Sequence, residues 1–352
     1  MRRRIVLSLA GVLATLLALE LLLRVLPAST ATMSGYYFDP DLLTYPARHR
    51  WTISTGWDLR NPQSLASNNF GFAADNDFVP NPKAVALVGD SFVEASMLDA
   101  PLRPGAQLEA LLGGTRPVYA FGSPGTSLLD YAQRVRFASE RFGIRDFVIW
   151  LERGDAVQAL CGSGNVQSRC LNAASLEPRI ERRPEPTWLK RIARHSALAQ
   201  YLSGQLKLRG NVFLKSMLTR RPPDDAEAPT PVADAARSPA APESVHRGRR
   251  VVDAVLENFF AQAGPYLVGR TIFVVDDYRG EALRDPKEVL FQRQYLIDSL
   301  RARGVEVVDL APVYRLHKDR SPLSLDVGPY DGHLNALGVQ LVMEQVASRL
   351  KP

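Results

Sequence analysis

The chain has 352 residues, of which 46% are hydrophobic and 23% charged, with a formal net charge of +6. These values are ordinary for a folded globular protein with a sizeable core. The basic residues are scattered and lack the interleaved aromatic side chains of a nucleic-acid reader, so we expect no nucleic-acid partner.

The first 29 residues are interpreted as a membrane anchor. Arg2, Arg3 and Arg4 precede the apolar run Ile5–Pro27, which is just long enough to cross the hydrocarbon layer. Their charge favours a cytoplasmic N-terminus, which predicts a single-pass protein of the cytoplasmic (inner) membrane with its catalytic domain on the periplasmic or extracellular side. A cleaved signal peptide is the alternative, because small residues follow at Ala28–Ala31.

Residues 30–82 show little periodicity and several turn signals, and we interpret them as a stalk that becomes a covering segment. From residue 83 to residue 352, short apolar runs alternate with longer amphipathic ones, which is typical of parallel strands covered by helices on both faces. The pattern predicts an α/β, flavodoxin-like doubly wound sandwich whose ligand crevice lies at the carboxyl ends of about five parallel strands. The predicted strands are Ala84–Val88, Pro117–Phe121, Phe147–Leu151, Ile272–Val275 and Val305–Leu310, and the predicted helices are Leu102–Leu112, Leu128–Phe142, Glu288–Arg303 and Ala336–Leu350.

A helical and disordered insertion is expected to interrupt this alternation at about residues 161–249. The segment Trp188–Met217 has a helical pattern, and a stretch rich in Pro and Ala follows that is too poor in large apolar residues to order itself. Cys161 and Cys170 are the only two cysteines, and in an exported chain their close spacing predicts a disulfide. Two cysteines cannot form a structural zinc site, and we expect neither a metal nor a cofactor.

The sequence Gly-Asp-Ser at Gly89–Ser91 directly follows the first predicted strand, where doubly wound folds bind ligands. A hydroxyl at this position becomes a nucleophile only if a neighbouring base removes its proton. Taken alone, a serine after a strand is more often a helix N-cap than a nucleophile.

Asp331 and His333 stand two residues apart in a glycine-containing loop before the last predicted helix. In such a loop both side chains can turn toward one site, where the carboxylate fixes the imidazole tautomer and stabilises the imidazolium. Taken alone, this sequence is more often a capping turn than a catalytic pair.

Together, "GDSF" after the first strand and "DGHLNALG" before the last helix resemble the SGNH, or GDSL, hydrolase family. The resemblance extends over Asn69–Leu350, and it implies a flavodoxin-like fold and the cleavage or transfer of acyl groups. It also implies that Ser91 is the nucleophile, His333 the general base and then acid, and Asp331 the orienting carboxylate. Exported SGNH-type proteins that acetylate alginate are similar in their catalytic Asp-x-His pair.

The same resemblance implies an oxyanion hole formed by the backbone N–H groups of Ser91 and Gly125. The family usually supplies a third donor from an Asn after the third strand, whereas this chain has Gly154 at that position and keeps the following Asp155. Three interpretations stay open: the N–H of Gly154 substitutes, a polar side chain such as Arg153 reaches in, or the enzyme is slow or inactive.

These observations predict a serine esterase or O-acetyltransferase acting outside the cytoplasmic membrane on acetylated polysaccharide or other envelope esters. The alternative is a catalytically weak or inactive carbohydrate-binding or assembly component of an export complex. Proteins of a polysaccharide export or modification system are candidate partners in either case. A cytoplasmic nucleotide binder fits the predicted sheet but lacks a glycine-rich phosphate loop. The acyl donor, the acceptor and the oligomeric state do not follow from the sequence.

Overall fold

The computed structural model describes residues 2–206, 242–279, 287–328 and 330–351, which fall into two units. The smaller unit is built from residues 2–33, 50–66 and 184–206, and the larger from residues 34–49, 67–183 and the described residues after 241. Each unit is described separately below.

The larger unit is organised around a sheet of five parallel strands. These are β3 (Val85–Gly89), β4 (Val118–Gly122), β5 (Asp146–Leu151), β8 (Thr271–Val275) and β9 (Glu306–Asp309), paired in the spatial order β4-β3-β5-β8-β9. Numbered by their order along the chain, the strands lie as 2-1-3-4-5, which is the flavodoxin-like doubly wound order. The predicted fold class is confirmed.

Helices cover both faces of this sheet because its buried residues alternate between two hydrophobic clusters. On β3, Ala86 and Val88 join one cluster, whereas Val85 and Leu87 join the other. The first cluster contains side chains of α4 (Leu128–Phe142), α8 (Pro242–Ala263) and α9 (Lys287–Ala302). The second contains side chains of α3 (Pro104–Leu111), α10 (Ala311–Arg320) and α11 (Ala336–Leu350).

Short elements complete the larger unit. The helices α2 and α5 follow β3 and β5, and a small antiparallel hairpin lies between α5 and residue 183. Their bounds are α2 (Ser91–Glu94), α5 (Asp155–Gln158), β6 (Arg169–Leu171) and β7 (Pro178–Ile180), with a 3-10 turn at each of Ala100–Leu102 and Gly264–Tyr266.

The smaller unit contains an N-terminal helix, a hairpin and a group of short helices. Helix α1 (Arg2–Val25) is long and apolar enough to cross a membrane, as an anchor or as a signal sequence would be. The hairpin pairs β1 (Arg50–Thr55) with β2 (Arg60–Ala66), and α6 (Trp188–Ala193), α7 (Ala197–Gln200) and a π-helical turn (Tyr201–Gln205) follow later in the chain.

Two sequence predictions differ from the structure in this region. The β1–β2 hairpin lies within residues 30–82, which we interpreted as a stalk and covering segment without predicting any strand there. Helix α8 begins at Pro242, before the end of about residue 249 that we predicted for the helical and disordered insertion. Residues 207–241, which hold most of the predicted flexible stretch and the end of the helical segment Trp188–Met217, lie outside the described residues.

Candidate active site

The Gly-Asp-Ser turn lies at the carboxyl end of β3, between the ends of β4 and β5. The chain order reverses here, since β4 lies on one side of β3 and all later strands lie on the other, and doubly wound folds bind ligands at such a point. The N-cap of α2 is Asp90, whose Oδ1 accepts a hydrogen bond from the N–H of Phe92 at 2.9 Å. Ser91 is therefore the first helical residue, and its hydroxyl is not used for capping.

Glycine is required at Gly89, directly before this turn. A β-carbon there would lie 2.5 Å from Cγ2 of Val93 and 2.8 Å from the carbonyl oxygen of Trp150, and real β-carbons do not approach this closely. The backbone directly before the Asp90–Ser91 turn therefore packs closely against the end of the neighbouring strand β5.

The hydroxyl of Ser91 contacts a histidine from the other end of the chain. Nε2 of His333 lies 2.8 Å from Oγ of Ser91, and Nδ1 of His333 lies 2.5 Å from Oδ1 of Asp331. The same carboxylate oxygen accepts the backbone N–H of His333 at 2.9 Å. The structure thus brings together all three residues of the predicted catalytic set in one hydrogen-bonded series.

The surroundings of His333 raise its pKa above the ordinary value of an imidazole. Burial lowers its pKa, but the hydrogen bond from Nδ1 to Asp331 and the charge of that carboxylate outweigh burial, so the net pKa of His333 is raised. The negative charge of Asp90 acts in the same direction, and the positive charge of Arg279 acts against it. An imidazole that is hydrogen-bonded to a hydroxyl on one side and to a carboxylate on the other can accept the hydroxyl proton.

Arg279 holds the loop that carries this histidine, and the sequence analysis missed it. Its guanidinium bonds Asp326 at 2.7 Å and the carbonyl oxygen of Gly332 at 2.6 Å, and it is anchored on Asp276 at 2.9 Å. Gly332 lies between Asp331 and His333, so Arg279 fixes the backbone of the pair. Nothing in the local pattern "DDYRG" indicates a contact 53 residues away.

The loop after β4 places Gly125 near the Gly-Asp-Ser turn, because β4 pairs with β3 and Gly122 lies opposite Gly89. Gly125 has φ +64°, a left-handed conformation that favours glycine. Its carbonyl oxygen accepts a hydrogen bond from Nε2 of Gln167 at 2.7 Å, which holds the Gly125–Thr126 peptide on the carboxyl side of the glycine. Among the described residues no hydrogen-bond partner is found for the N–H groups of Ser91 and Gly125, so both are available to an oxyanion.

Gln167 belongs to a loop that is closed by the disulfide between Cys161 and Cys170, which confirms the predicted pairing. Its backbone N–H and the hydroxyl of Ser168 both donate to the buried carboxylate of Asp130, at 3.3 Å and 3.0 Å. Asp130 also completes the capping box at the start of α4, directly after Gly125. The disulfide loop is therefore tied to the Gly125 loop at two points, which the sequence did not indicate.

The two groups that could replace the asparagine donor, the N–H of Gly154 and the side chain of Arg153, are both bonded to Glu152. The N–H of Gly154 donates to Oε2 of Glu152 at 2.6 Å, so in this structure it is not free to bind an oxyanion. Arg153 pairs with Glu152 at 3.0 Å and lies over the ring of Tyr278 at 3.9 Å. Asp155 is structural, since it accepts the hydroxyl of Tyr131 and the N–H of Glu152, both at 2.9 Å.

Comparison with solved structures returns hydrolases of low sequence identity. A member of the lipolytic G-D-S-L family from Veillonella parvula is 11% identical with a TM-score of 0.40, over 76% of this chain and 97% of its own. A lipase/acylhydrolase from Enterococcus faecalis is 13% identical with a TM-score of 0.38, over 77% of this chain and 98% of its own. A carbohydrate acetylesterase from Sinorhizobium meliloti is 12% identical with a TM-score of 0.35, over 76% and 98% of the two chains.

The family that the sequence motifs resemble is thus found again among the structural neighbours. No protein-family model and no curated protein matches the sequence. Identities of 11–13% and TM-scores of at most 0.40 are too low to transfer an activity, so the function is inferred from the side chains of this chain.

Proposed function

We propose that this chain is a serine-dependent acyl-ester hydrolase or O-acyltransferase. The observation that supports this proposal is the hydrogen-bonded series Ser91–His333–Asp331 at the carboxyl end of the parallel sheet. Such a series can generate a nucleophilic alkoxide without a metal or a cofactor.

In the proposed reaction, Nε2 of His333 takes the proton of the Ser91 hydroxyl while Oγ attacks the ester carbonyl carbon. The carbonyl oxygen becomes an oxyanion, which the free N–H groups of Ser91 and Gly125 stabilise. His333 then returns the proton to the leaving alcohol oxygen, and the acyl group stays on Ser91. A water molecule or the hydroxyl of an acceptor attacks the acyl-serine through the same histidine, which releases an acid or a new ester.

We further propose that the protein acts outside the cytoplasmic membrane, held there by α1. The arginines before this helix favour a cytoplasmic N-terminus, and a disulfide in the larger unit suits an oxidising compartment. Acetyl groups on envelope or exported polysaccharide are the esters that such a location offers, so acetylated polysaccharide is the proposed substrate.

The decisive experiment compares the full-length protein in detergent with Ser91→Ala and His333→Ala. We expect hydrolysis of p-nitrophenyl acetate and fluorophosphonate labelling of Ser91, both lost in the two variants. His317→Ala is the control, because His317 is a half-buried histidine on α10 whose Nε2 contacts the carbonyl oxygen of Leu323 rather than the Ser91 hydroxyl. Equal background rates in all four proteins would instead support a binding or assembly component, as the engaged N–H of Gly154 would suggest.

Transfer is distinguished from hydrolysis by its products. When an oligosaccharide acceptor is present, a hydrolase releases p-nitrophenol and acetate in equal amounts, whereas a transferase releases less acetate and acetylates the sugar. Mass spectrometry of the oligosaccharide measures the difference directly.

A further inference from the structure

Helix α6, in the smaller unit, carries three large apolar side chains on its surface. The exposed fractions are 70% for Trp188, 62% for Leu189 and 61% for Ile192. With 3.6 residues per turn, these three positions fall within an arc of about 100°, and Lys190 and Arg191 lie on the remaining circumference. An apolar face of Trp, Leu and Ile beside basic residues is typical of helices that lie in a membrane interface.

Polar contacts tie the segment that follows this helix to the C-terminal part of α1. The carboxylate of Glu20 accepts the N–H groups of Ala197 and Leu198, at 3.0 Å and 2.9 Å, where α7 begins directly after α6. Arg24 pairs with Glu20 at 2.8 Å and also donates to the carbonyl oxygen of His195 at 3.1 Å. The α6–α7 segment is thereby fixed beside the last turns of α1.

This attachment sets the depth of α6 relative to a bilayer that α1 would cross. The stretch from Ile5 to Val25 is about 30 Å long at about 1.5 Å per residue, which matches the hydrocarbon thickness. Glu20 then lies about 7–8 Å below the level of Val25. Interfacial helices bury their apolar faces to a depth of about 5–10 Å, so the α6–α7 segment is held at the depth that such helices occupy.

We propose that α6 is a membrane-contacting surface, with Trp188, Leu189 and Ile192 at the boundary between headgroups and acyl chains and with Lys190 and Arg191 bound to lipid phosphates. This surface is additional to the proposed acyl chemistry and rests on α1 spanning the membrane. A lipid leaflet is favoured over a protein partner because the start of α7, close after α6, is bonded to a helix that is long and apolar enough to be membrane-embedded, and because the flanking charges are positive.

Tryptophan quenching by brominated lipids tests this contact. The chain has four tryptophans, of which Trp51 and Trp150 are buried and Trp57 and Trp188 are exposed. In full-length protein carrying Trp57→Phe, Trp188 is therefore the one remaining exposed tryptophan. The variant is reconstituted into nanodiscs of phosphatidylcholine and phosphatidylglycerol, with and without dibrominated acyl chains, and a second variant adds Trp188→Phe.

We expect brominated lipid to quench the Trp57→Phe protein and to leave the double variant nearly unquenched. Lys190→Glu combined with Arg191→Glu, in the Trp57→Phe background, is expected to reduce the quenching most in discs that contain phosphatidylglycerol. Equal quenching with and without Trp188, or protein that does not remain with the discs at alkaline pH, would overturn the proposal. If Trp188 is not quenched although the protein stays in the discs, the apolar face of α6 is assigned to a protein partner. Ester hydrolysis is measured on the same samples, so that a failure of the membrane contact can be told apart from a failure of the proposed function.

Discussion

The sequence resemblance implies that Gly154 stands where SGNH hydrolases usually carry an asparagine donor, and in the structure its own N–H is bonded to Glu152. Restoring the amide by Gly154→Asn is expected to raise kcat by at least about tenfold, because one oxyanion donor is commonly worth about 10²–10³ in rate. The control is Gly154→Ala, which adds the same β-carbon close to the flexible side chains of Glu152 and Gln158 but no donor. Equal rates for the two variants would mean that position 154 does not face the oxyanion.

The raised pKa of His333 gives the activity a pH dependence with a definite sign. Only the neutral imidazole accepts the proton of Ser91, so kcat/KM is expected to rise with pH through a midpoint above the ordinary value of 6.5. In Asp331→Asn the burial that lowers the pKa remains while the carboxylate that raises it is gone, so the midpoint moves to lower pH. The maximal kcat/KM that Asp331→Asn reaches at high pH also falls, by about 10²–10⁴-fold, because the imidazole loses its orienting partner.

The corresponding measurement is a full pH profile of ester hydrolysis for the two proteins, with His333→Ala as the baseline. An unchanged midpoint in Asp331→Asn would show that this carboxylate does not control the titration of His333.

The residues of the hydrogen-bonded series could be singled out from the sequence because each has a local signature, Ser91 after a strand and the Asp-x-His pair before a helix. The contacts that support these residues could not be predicted from the sequence. Gln167 reaches Gly125 across 42 residues and Arg279 reaches Gly332 across 53, and no local periodicity encodes either contact.

At the scale of elements, α2 and β4 approach so closely that only glycine fits between them. A β-carbon at Gly122 would lie 2.7 Å from Cα of Glu94, and neither backbone can move aside. Gly122→Ala is therefore expected to lower the free energy of unfolding by about 1–3 kcal/mol. Gly264→Ala, with nothing within 4 Å of the added carbon, is the control and should change that free energy little, as measured by urea denaturation.

Arg279 joins the end of β8 to the loop before α11. Arg279→Gln removes the charge that pairs with Asp276 and Asp326, and we expect kcat to fall by about 10–100-fold with a smaller change in KM, since the group does not contact the acyl carbon. Arg279→Lys keeps the charge without the planar fork and should recover only part of the loss. If instead stability fell with no change in kcat for the folded fraction, Arg279 would be structural only.

The elements of the sheet were predictable because five short apolar runs alternate with helical patterns, and the observed strands agree within about a residue at most ends. The β1–β2 hairpin was missed because its strands are largely polar and Pro62 lies within β2, which removes the alternation that normally reveals a half-buried strand. In this hairpin Trp51 and Leu65, the most buried apolar residues, face each other across the strands.

For the whole molecule, buried carboxylates make stability depend on pH. Burial raises the pKa of Glu94 from 4.5 to about 7, and its hydrogen bond from Tyr45 only partly offsets the effect. Between these two values the folded state holds a proton that the unfolded state has released, so the free energy of unfolding falls as pH rises from about 4.5 to about 7. The contribution of Glu94 is on the order of 3 kcal/mol at most.

Glu94→Gln carries no titratable proton, so its free energy of unfolding should change less over this pH range than that of the unaltered protein. Denaturant titrations at pH 5 and pH 8 measure the difference. Asp130, whose pKa burial raises to about 6, acts in the same direction and is left in place, so some dependence on pH remains in the variant.

The disulfide between Cys161 and Cys170 also bears on when the protein can work. It closes the loop from which Gln167 holds the Gly125–Thr126 peptide, so a newly made chain in a reducing cytosol lacks this covalent constraint beside the proposed oxyanion hole. If the protein is exported as we propose, oxidation after translocation would complete this loop. Formation of the disulfide would then coincide with arrival at the proposed substrate, and the esters of the cell interior would be spared.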